Sequence, residues 1–112
     1  MNRLPSAPSE GEALLALQLR CERIPFDREF LAVPDRKFRW DFFIAPDLLV
    51  EVQGGAWSRG KSGHNGGSGL QRDAEKSAMA AIHGYRQISA TTEQVKEGSA
   101  IGWIKQAIRR AA

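Results

Sequence analysis

At 112 residues, with 42% hydrophobic and 26% charged side chains, the chain has the size of one domain that can bury a core without staples. No apolar run approaches the roughly 20 residues that span a bilayer, and the opening MNRLPSAPSE lacks the apolar stretch of a secretion signal, so a cytoplasmic location is expected. A single cysteine, Cys21, excludes a disulfide framework and a zinc-ligand cluster, while a net charge of +3 permits a polyanionic partner without requiring one.

Residues 1–8 carry two prolines and read as a flexible arm, leaving 9–112 as a single domain. Ser9-Glu10-Gly11-Glu12 then opens a helix to about Arg23, with Leu14, Leu15, Leu17 and Leu19 as its apolar face. Ser9 and Glu12 have the spacing of a capping box, in which hydroxyl and carboxylate satisfy free backbone N–H groups. A second reading turns Glu12 toward acids elsewhere in the chain. Cys21 reads as a buried or half-buried helix residue, since nothing nearby marks a base or a positive trap for a thiolate.

Ile24-Pro25 ends the helix, and Phe26–Val33 is expected as a first strand. Arg28, Arg36, Lys37 and Arg39 surround the start of the next one. They form either a solvated charge cluster or a phosphate-facing rim.

Phe38–Ile44 and Leu48–Val52 are aromatic and β-branched runs on either side of Ala45-Pro46-Asp47, the signature of a hairpin. With a three-residue turn Ile44 faces Leu48, and counting back sets Asp41 opposite Glu51. Alternation then gathers Asp41, Glu51 and Gln53 on one face, and Trp40, Phe42, Ile44, Leu48, Val50 and Val52 on the other. Like charges opposed on a sheet repel, so two carboxylates there imply either a cation between them or a retained proton. Two exposed acids on an edge hairpin are the plainer alternative.

From Gly54 to Gly69 the composition changes. Seven of the eleven glycines fall in these sixteen residues, with Trp57, Arg59, Lys61 and His64 among them. The stretch reads as a plain loop or as a flap that closes over a substrate backbone. Leu70–His83 is expected to be helical, with Gly84 as its left-handed C-terminal residue. On it Asp73, Lys76 and Ala80 share one face, while Ala74, Ala78, Ala81 and Ile82 make a small-residue face for packing on a sheet. Tyr85–Ala90 reads as a strand, Thr91 or Thr92 starts a short helical turn, and Ser99 begins a last helix through Arg110. Its inward residues are expected to be Ile101, Trp103, Ile104, Ala107 and Ile108.

This order, α-β-β-β-loop-α-β-α, resembles the PD-(D/E)XK nuclease superfamily, and within it the small Vsr-like and VRR-NUC-like nucleases of phages and prophages. The carrying residues are Glu12, RKFRWDF ending at Phe42, EVQGG from Glu51 to Gly55, His64, and the run Asp73 to Lys76. The resemblance implies an α/β fold of restriction-endonuclease type, a mixed central sheet flanked by helices. It also implies a Mg²⁺- or Mn²⁺-dependent DNA endonuclease that hydrolyses phosphodiester bonds, with duplex or branched DNA such as Holliday junctions as substrate. Cutting a junction would require a homodimer.

Carried over by position, the resemblance makes Asp41 and Glu51 the paired strand carboxylates and adds Glu12 and the Val52 carbonyl as further metal ligands. Gln53 stands where the motif places its lysine, and Trp40 where it places its proline. A neutral amide holds water but supplies no charge, so Lys76 on the following helix becomes the substitute, with His64 as the other option for a base or phosphate ligand. Arg39, Arg59, Lys61 and His64 are the implied DNA contacts. The alternative function is a catalytically weak or inactive nucleic-acid-binding module of the same fold.

Overall fold

A computed structural model of the chain describes residues 8–54 and 66–111. The elements are α1 (Glu10–Cys21), β1 (Asp27–Phe30), β2 (Trp40–Ile44), β3 (Leu48–Gln53), α2 (Gly66–Ile82), β4 (Arg86–Thr91), a short α3 (Thr92–Lys96) and α4 (Ser99–Ala111). The strands form one sheet in the order β1-β2-β3-β4. β1, β2 and β3 are antiparallel neighbours, and β4 returns parallel to β3 after α2. The α/β order expected from the sequence therefore holds, with α3 as the anticipated short turn of helix.

Local chemistry accounts for the boundaries. Ser9 caps α1 by accepting the N–H of Glu12 at 3.2 Å. Thr91 caps α3 in a full capping box with Gln94. Gly84 ends α2 at a φ of +88°, a left-handed conformation open to glycine at little cost. β1 ends at Phe30, short of the expected run to Val33, and Glu29 within it takes a φ of +52°. Ala32, Val33 and Phe38 are still buried, though outside any strand.

The sheet separates two apolar clusters. On one side Leu15 and Leu19 of α1, Val95 of α3 and Ile104 of α4 cover Phe42, Ile44, Leu48, Val50 and Val52. On the other, Ala80 and Met79 of α2 cover Leu49, Phe38 and Trp40. A fully buried leucine contributes about 1.5–3 kcal/mol, so this first cluster, with Leu15, Leu19 and Leu48 nearly or wholly enclosed, anchors the sheet.

Several expected inward residues lie outside. Leu17 is 54% exposed and Trp103 39% exposed, because each helix buries a narrower stripe than its apolar residues would allow. Cys21 is an exposed thiol near the end of α1. α2 is rotated from the expected orientation: Ala74, Ala78, Ala81 and Ile82 face outward, whereas Lys76, Met79 and Ala80 turn to the sheet. The cause is polar as much as apolar, since Lys76 has partners on the sheet that no residue of the small-residue face could satisfy. Among the described residues no helix is long and apolar enough to cross a membrane.

Candidate active site at the open end of the β2–β3 hairpin

Hairpin pairing begins at the turn as the sequence predicts, with Ile44 opposite Leu48 and Phe42 opposite Val50. It stops there. One residue further along, Asp41 turns its side chain into the ladder, and its Oδ2 accepts the N–H of Val52 at 2.8 Å. A side-chain oxygen thus takes a donor that a backbone carbonyl would otherwise hold, and the strands part. Trp40, expected on the face of Phe42 and Ile44, is displaced by the same break to the α2 side. There its Nε1 donates to Gln87 Oε1 at 3.0 Å.

Each end of this opening is supplied by a helix. From α1, Glu12 comes near Asp41, and the charge of Asp41 helps hold the Glu12 carboxyl above its ordinary range. The close approach depends on Gly11: a Cβ there would lie 2.7 Å from Thr92 Oγ1 and 2.8 Å from a methyl of Val52. The capping box expected at Ser9 is therefore only half built. Ser9 receives the N–H, but the Glu12 carboxylate leaves the cap and pairs with Arg28 Nη2 of β1 at 3.0 Å. Arg28 also donates from Nε to the Asp41 carbonyl at 3.3 Å, and its guanidinium lies 4.7 Å from the centre of the Phe42 ring.

From α2, Lys76 donates to Glu51 Oε2 and, at 2.6 Å, to the carbonyl of Arg39, with Nζ 4.9 Å from the Trp40 ring centre. The Lys76 and Glu51 side chains are only 12% and 24% exposed, so the pair is largely desolvated. Breaking such a pair is costly because it strands a buried charge. The i,i+3 pairing of Asp73 with Lys76 on the helix surface does not form; Asp73 instead adds negative charge near Glu51. Glu51, Val52, Gln53, Gly54 and Asp73 line an open, polar cleft of about 250 Å³.

Burial is the largest influence on all three acids and pushes each carboxyl above its ordinary range. For Glu12 the neighbouring Asp41 adds to the rise, and Arg28 opposes it. For Asp41 the Val52 N–H and then Lys76 oppose it. For Glu51 it is Lys76 that pulls back down, through both a hydrogen bond and its charge. Partly buried acids with shifted titration, side by side in a cleft, mark a functional-site candidate.

The acids do not, however, share one face as expected. Asp41 meets α1 through Glu12, while Glu51 meets α2 through Lys76. Among the described residues no three His, Cys, Asp or Glu side chains stand close enough together to hold a metal ion. The donors fit in kind, since carboxylate oxygen suits Mg²⁺ or Mn²⁺. They do not fit in position, because Arg28 draws Glu12, Lys76 draws Glu51 and the Val52 N–H fixes Asp41. Val52 also meets the site through its N–H, which Asp41 Oδ2 accepts.

The fold, a four-stranded mixed sheet flanked by helices, has a solved counterpart. It is similar to the solved catalytic domain of the homing endonuclease I-Bth0305I, with a TM-score of 0.62 at 16% identity over 92% of this chain and 93% of that one. No family model and no curated relative matches the sequence.

Of the remaining site residues, Gln53 closes β3 at the cleft, exposed, with its carbonyl accepting from Thr92 Oγ1 at 3.4 Å. Arg39 is 61% exposed beside the opening and pairs with Glu29 at 3.6 Å. Arg59, Lys61 and His64 lie outside the described residues. Arg72 of α2 was not singled out in the sequence, yet its guanidinium sits 5.2 Å from the Phe38 ring, and Arg36 lies 4.5 Å from the same ring. The signal was the arginine at the start of the RDAEK run, legible only with α2 placed beside the loop before β2.

Proposed function

We propose that the protein is a metal-dependent DNA endonuclease of the PD-(D/E)XK kind. The observation that carries this reading is Lys76 reaching from α2 to Glu51 beside Asp41. It returns to the open hairpin end the positive charge that Gln53 cannot supply. The likeness in fold to a homing endonuclease catalytic domain supports the same reaction class.

Glu12, Asp41 and Glu51 are carboxylates of the kind that would hold Mg²⁺ or Mn²⁺, with the Val52 carbonyl as a fourth in the superfamily pattern, but only once the ion pairs with Arg28 and Lys76 open. A hard divalent ion supplies Lewis-acid charge at the scissile phosphate and acidifies water. Lys76 carries three donors; two go to Glu51 and Arg39, and the third would serve a substrate oxygen or the attacking water. Gln53 orients water at the cleft without contributing charge. Arg39, Arg36 and Arg72 are candidates to grip flanking phosphates, and Arg59, Lys61 and His64, outside the described residues, are further candidates from the sequence. Binding carried by such contacts weakens steeply with salt. Recognition then rests on DNA shape, with branched DNA such as a Holliday junction as the candidate substrate and a homodimer as the cutting unit.

A second reading is favoured by the neutral Gln53 and by the carboxylates already satisfied by Arg28 and Lys76: a nucleic-acid-binding module of this fold with weak or no cleavage. One assay separates the two. Labelled linear, nicked, flapped and four-way DNA is incubated with wild type, Glu51→Ala and Lys76→Ala in Mg²⁺, Mn²⁺ or EDTA. Cleavage should require the metal and fall by about 100-fold or more in both variants, the scale of losing one preorganised charge stabiliser. Salt-sensitive binding with no cutting by wild type would instead establish the binding module.

A further inference from the structure

The sheet has two edges, and they are not alike. β1 is four residues long, three of them charged, and Glu29 bends its chain at a φ of +52°. Such features keep an edge strand from pairing with another chain. β4, at the opposite edge, runs six residues from Arg86 to Thr91 with no proline, no lysine and no left-handed residue. Its one charged side chain, Arg86, is paired with Asp47.

The backbone of β4 shows which groups are open. The Arg86 N–H donates to the carbonyl of Asp47, just ahead of β3. By alternation Arg86, Ile88 and Ala90 turn their N–H and C=O groups to β3, while Gln87 and Ser89 turn theirs outward. The outward set is closed at both ends, since the Tyr85 N–H goes to the Ala80 carbonyl and the Thr91 N–H to Gln94 Oε1. Among the described residues that leaves Gln87 and Ser89, each with a donor and an acceptor. The pattern is self-complementary: about a two-fold axis at Ile88, Gln87 of one copy faces Ser89 of the other, and each such pair exchanges two hydrogen bonds. Ile88, half-buried at the rim of the larger apolar cluster, meets its own copy on the axis. The helix above this edge adds a large side chain. α4 lies over β4, where Arg86 Nη1 donates to the Ala107 carbonyl at 3.1 Å, and Lys105 ties its inner flank to Glu22 of α1. Trp103, two residues from Lys105 and so about 200° around the helix, projects from the flank away from α1 and is 39% exposed.

We propose that β4 is a dimer interface: two copies pair antiparallel through Gln87, Ile88 and Ser89 into one continuous sheet, with Trp103 of each copy packed against the other on the helix side. This deepens the homodimer of the proposed function by naming its contact surface, and rests on that reading only for what the two sites do together. Glu51 is in register with Ser89. A two-fold axis perpendicular to the sheet therefore leaves both clefts on one face, three strand spacings or roughly 15 Å apart, each within reach of one strand of a DNA laid across the axis.

Sedimentation of the full chain, without metal or DNA, tests the interface. Wild type should be dimeric at micromolar concentration. Ser89→Pro removes an N–H that the chain's own ladder does not use, at an edge position that tolerates proline; it should weaken the dimer about tenfold or more, since symmetry removes two hydrogen bonds. Trp103→Glu should weaken it by about as much. Ser89→Ala keeps the N–H and should stay within about threefold of wild type. In wild type itself, where folding is not in question, the Gln87 and Ser89 amides should become protected from hydrogen exchange as concentration rises. A wild type that is monomeric at millimolar concentration, or dimeric with these two amides still exchanging freely, overturns the interface. So does a dimer undiminished in folded Ser89→Pro and Trp103→Glu. If the monomer cuts DNA, the interface is wrong and the nuclease reading stands; if the chain dimerises through these amides and cuts no DNA in Mg²⁺ or Mn²⁺, the interface stands and the nuclease reading falls.

Discussion

The two ends of the β2–β3 hairpin are built from the same residue types and end in opposite conditions. At the turn, Asp47 receives Arg86 through Nη2 at 3.0 Å and Nε at 3.2 Å, and the Asp47 carbonyl takes the Arg86 N–H at 2.8 Å. The strands stay paired, and the ion pair is about one-third exposed on either side. At the open end, Asp41 breaks the pairing, Trp40 crosses the sheet, and the ion pairs at Glu12 and Glu51 are more deeply set. A carboxylate beside a partner in water closes a turn; a carboxylate held among other acids under burial is pushed above its ordinary titration range. Solvent access separates the two settings of the same side chain.

The sharpest way to break that contrast is to neutralise one acid at each end. Asp41→Asn should lower cleavage by about 100-fold or more while keeping the fold, because the amide oxygen can still accept the Val52 N–H. Asp47→Asn should leave cleavage within about twofold and cost at most about 1 kcal/mol in a denaturant melt. Equal losses of cleavage would mean that the two ends do not differ in role.

The approach of α1 gives the next largest effect. In Gly11→Ala the new methyl must push on Thr92 and Val52, costing about 1–3 kcal/mol of stability and carrying Glu12 away from Asp41, so cleavage should fall with it. Gly102→Ala in α4 meets open space, and should gain about 0.5–1 kcal/mol from helix propensity with cleavage unchanged. A harmless Gly11→Ala would show that α1 need not sit so close.

The smallest effect is a pH trend. Glu12, Asp41 and Glu51 have raised carboxyl pKa values, chiefly through burial, so the folded chain keeps protons that the unfolded chain has released. Their contribution to stability is present below the ordinary carboxylate range and is lost as pH rises through the raised values. In metal-free buffer the melting temperature of wild type should therefore fall relative to Asp41→Asn on going from about pH 4, where carboxyls ordinarily titrate, to neutrality. A difference independent of pH would place Asp41 in an ordinary, solvated setting.

Much of the architecture was legible beforehand because it rests on local rules. The three-residue turn fixed the register of Ile44 with Leu48 and Phe42 with Val50, Ser9 and Thr91 marked two helix starts, and Gly84 marked an end. The site was legible in part: Glu12, Asp41 and Glu51 do gather near one hairpin end, and Lys76 does reach Glu51. Alternation failed at Asp41, where a side chain competed with the backbone for an N–H; no periodicity argument contains that competition. The orientation of α2 was misjudged for a related reason, since Lys76 found sheet partners that outweighed four small apolar residues. Arg72 was unremarkable in the chain, and Arg28 stood there only as one of four clustered cations, because each matters through a neighbour distant in sequence.

The amino-acid order by itself determined the elements, their caps and the hairpin register, because these depend on residues within a few positions of one another. Only the tertiary structure decided which cation meets which acid, as those pairings join α1 to β1 and α2 to β3, and their energies depend on burial that no local stretch possesses.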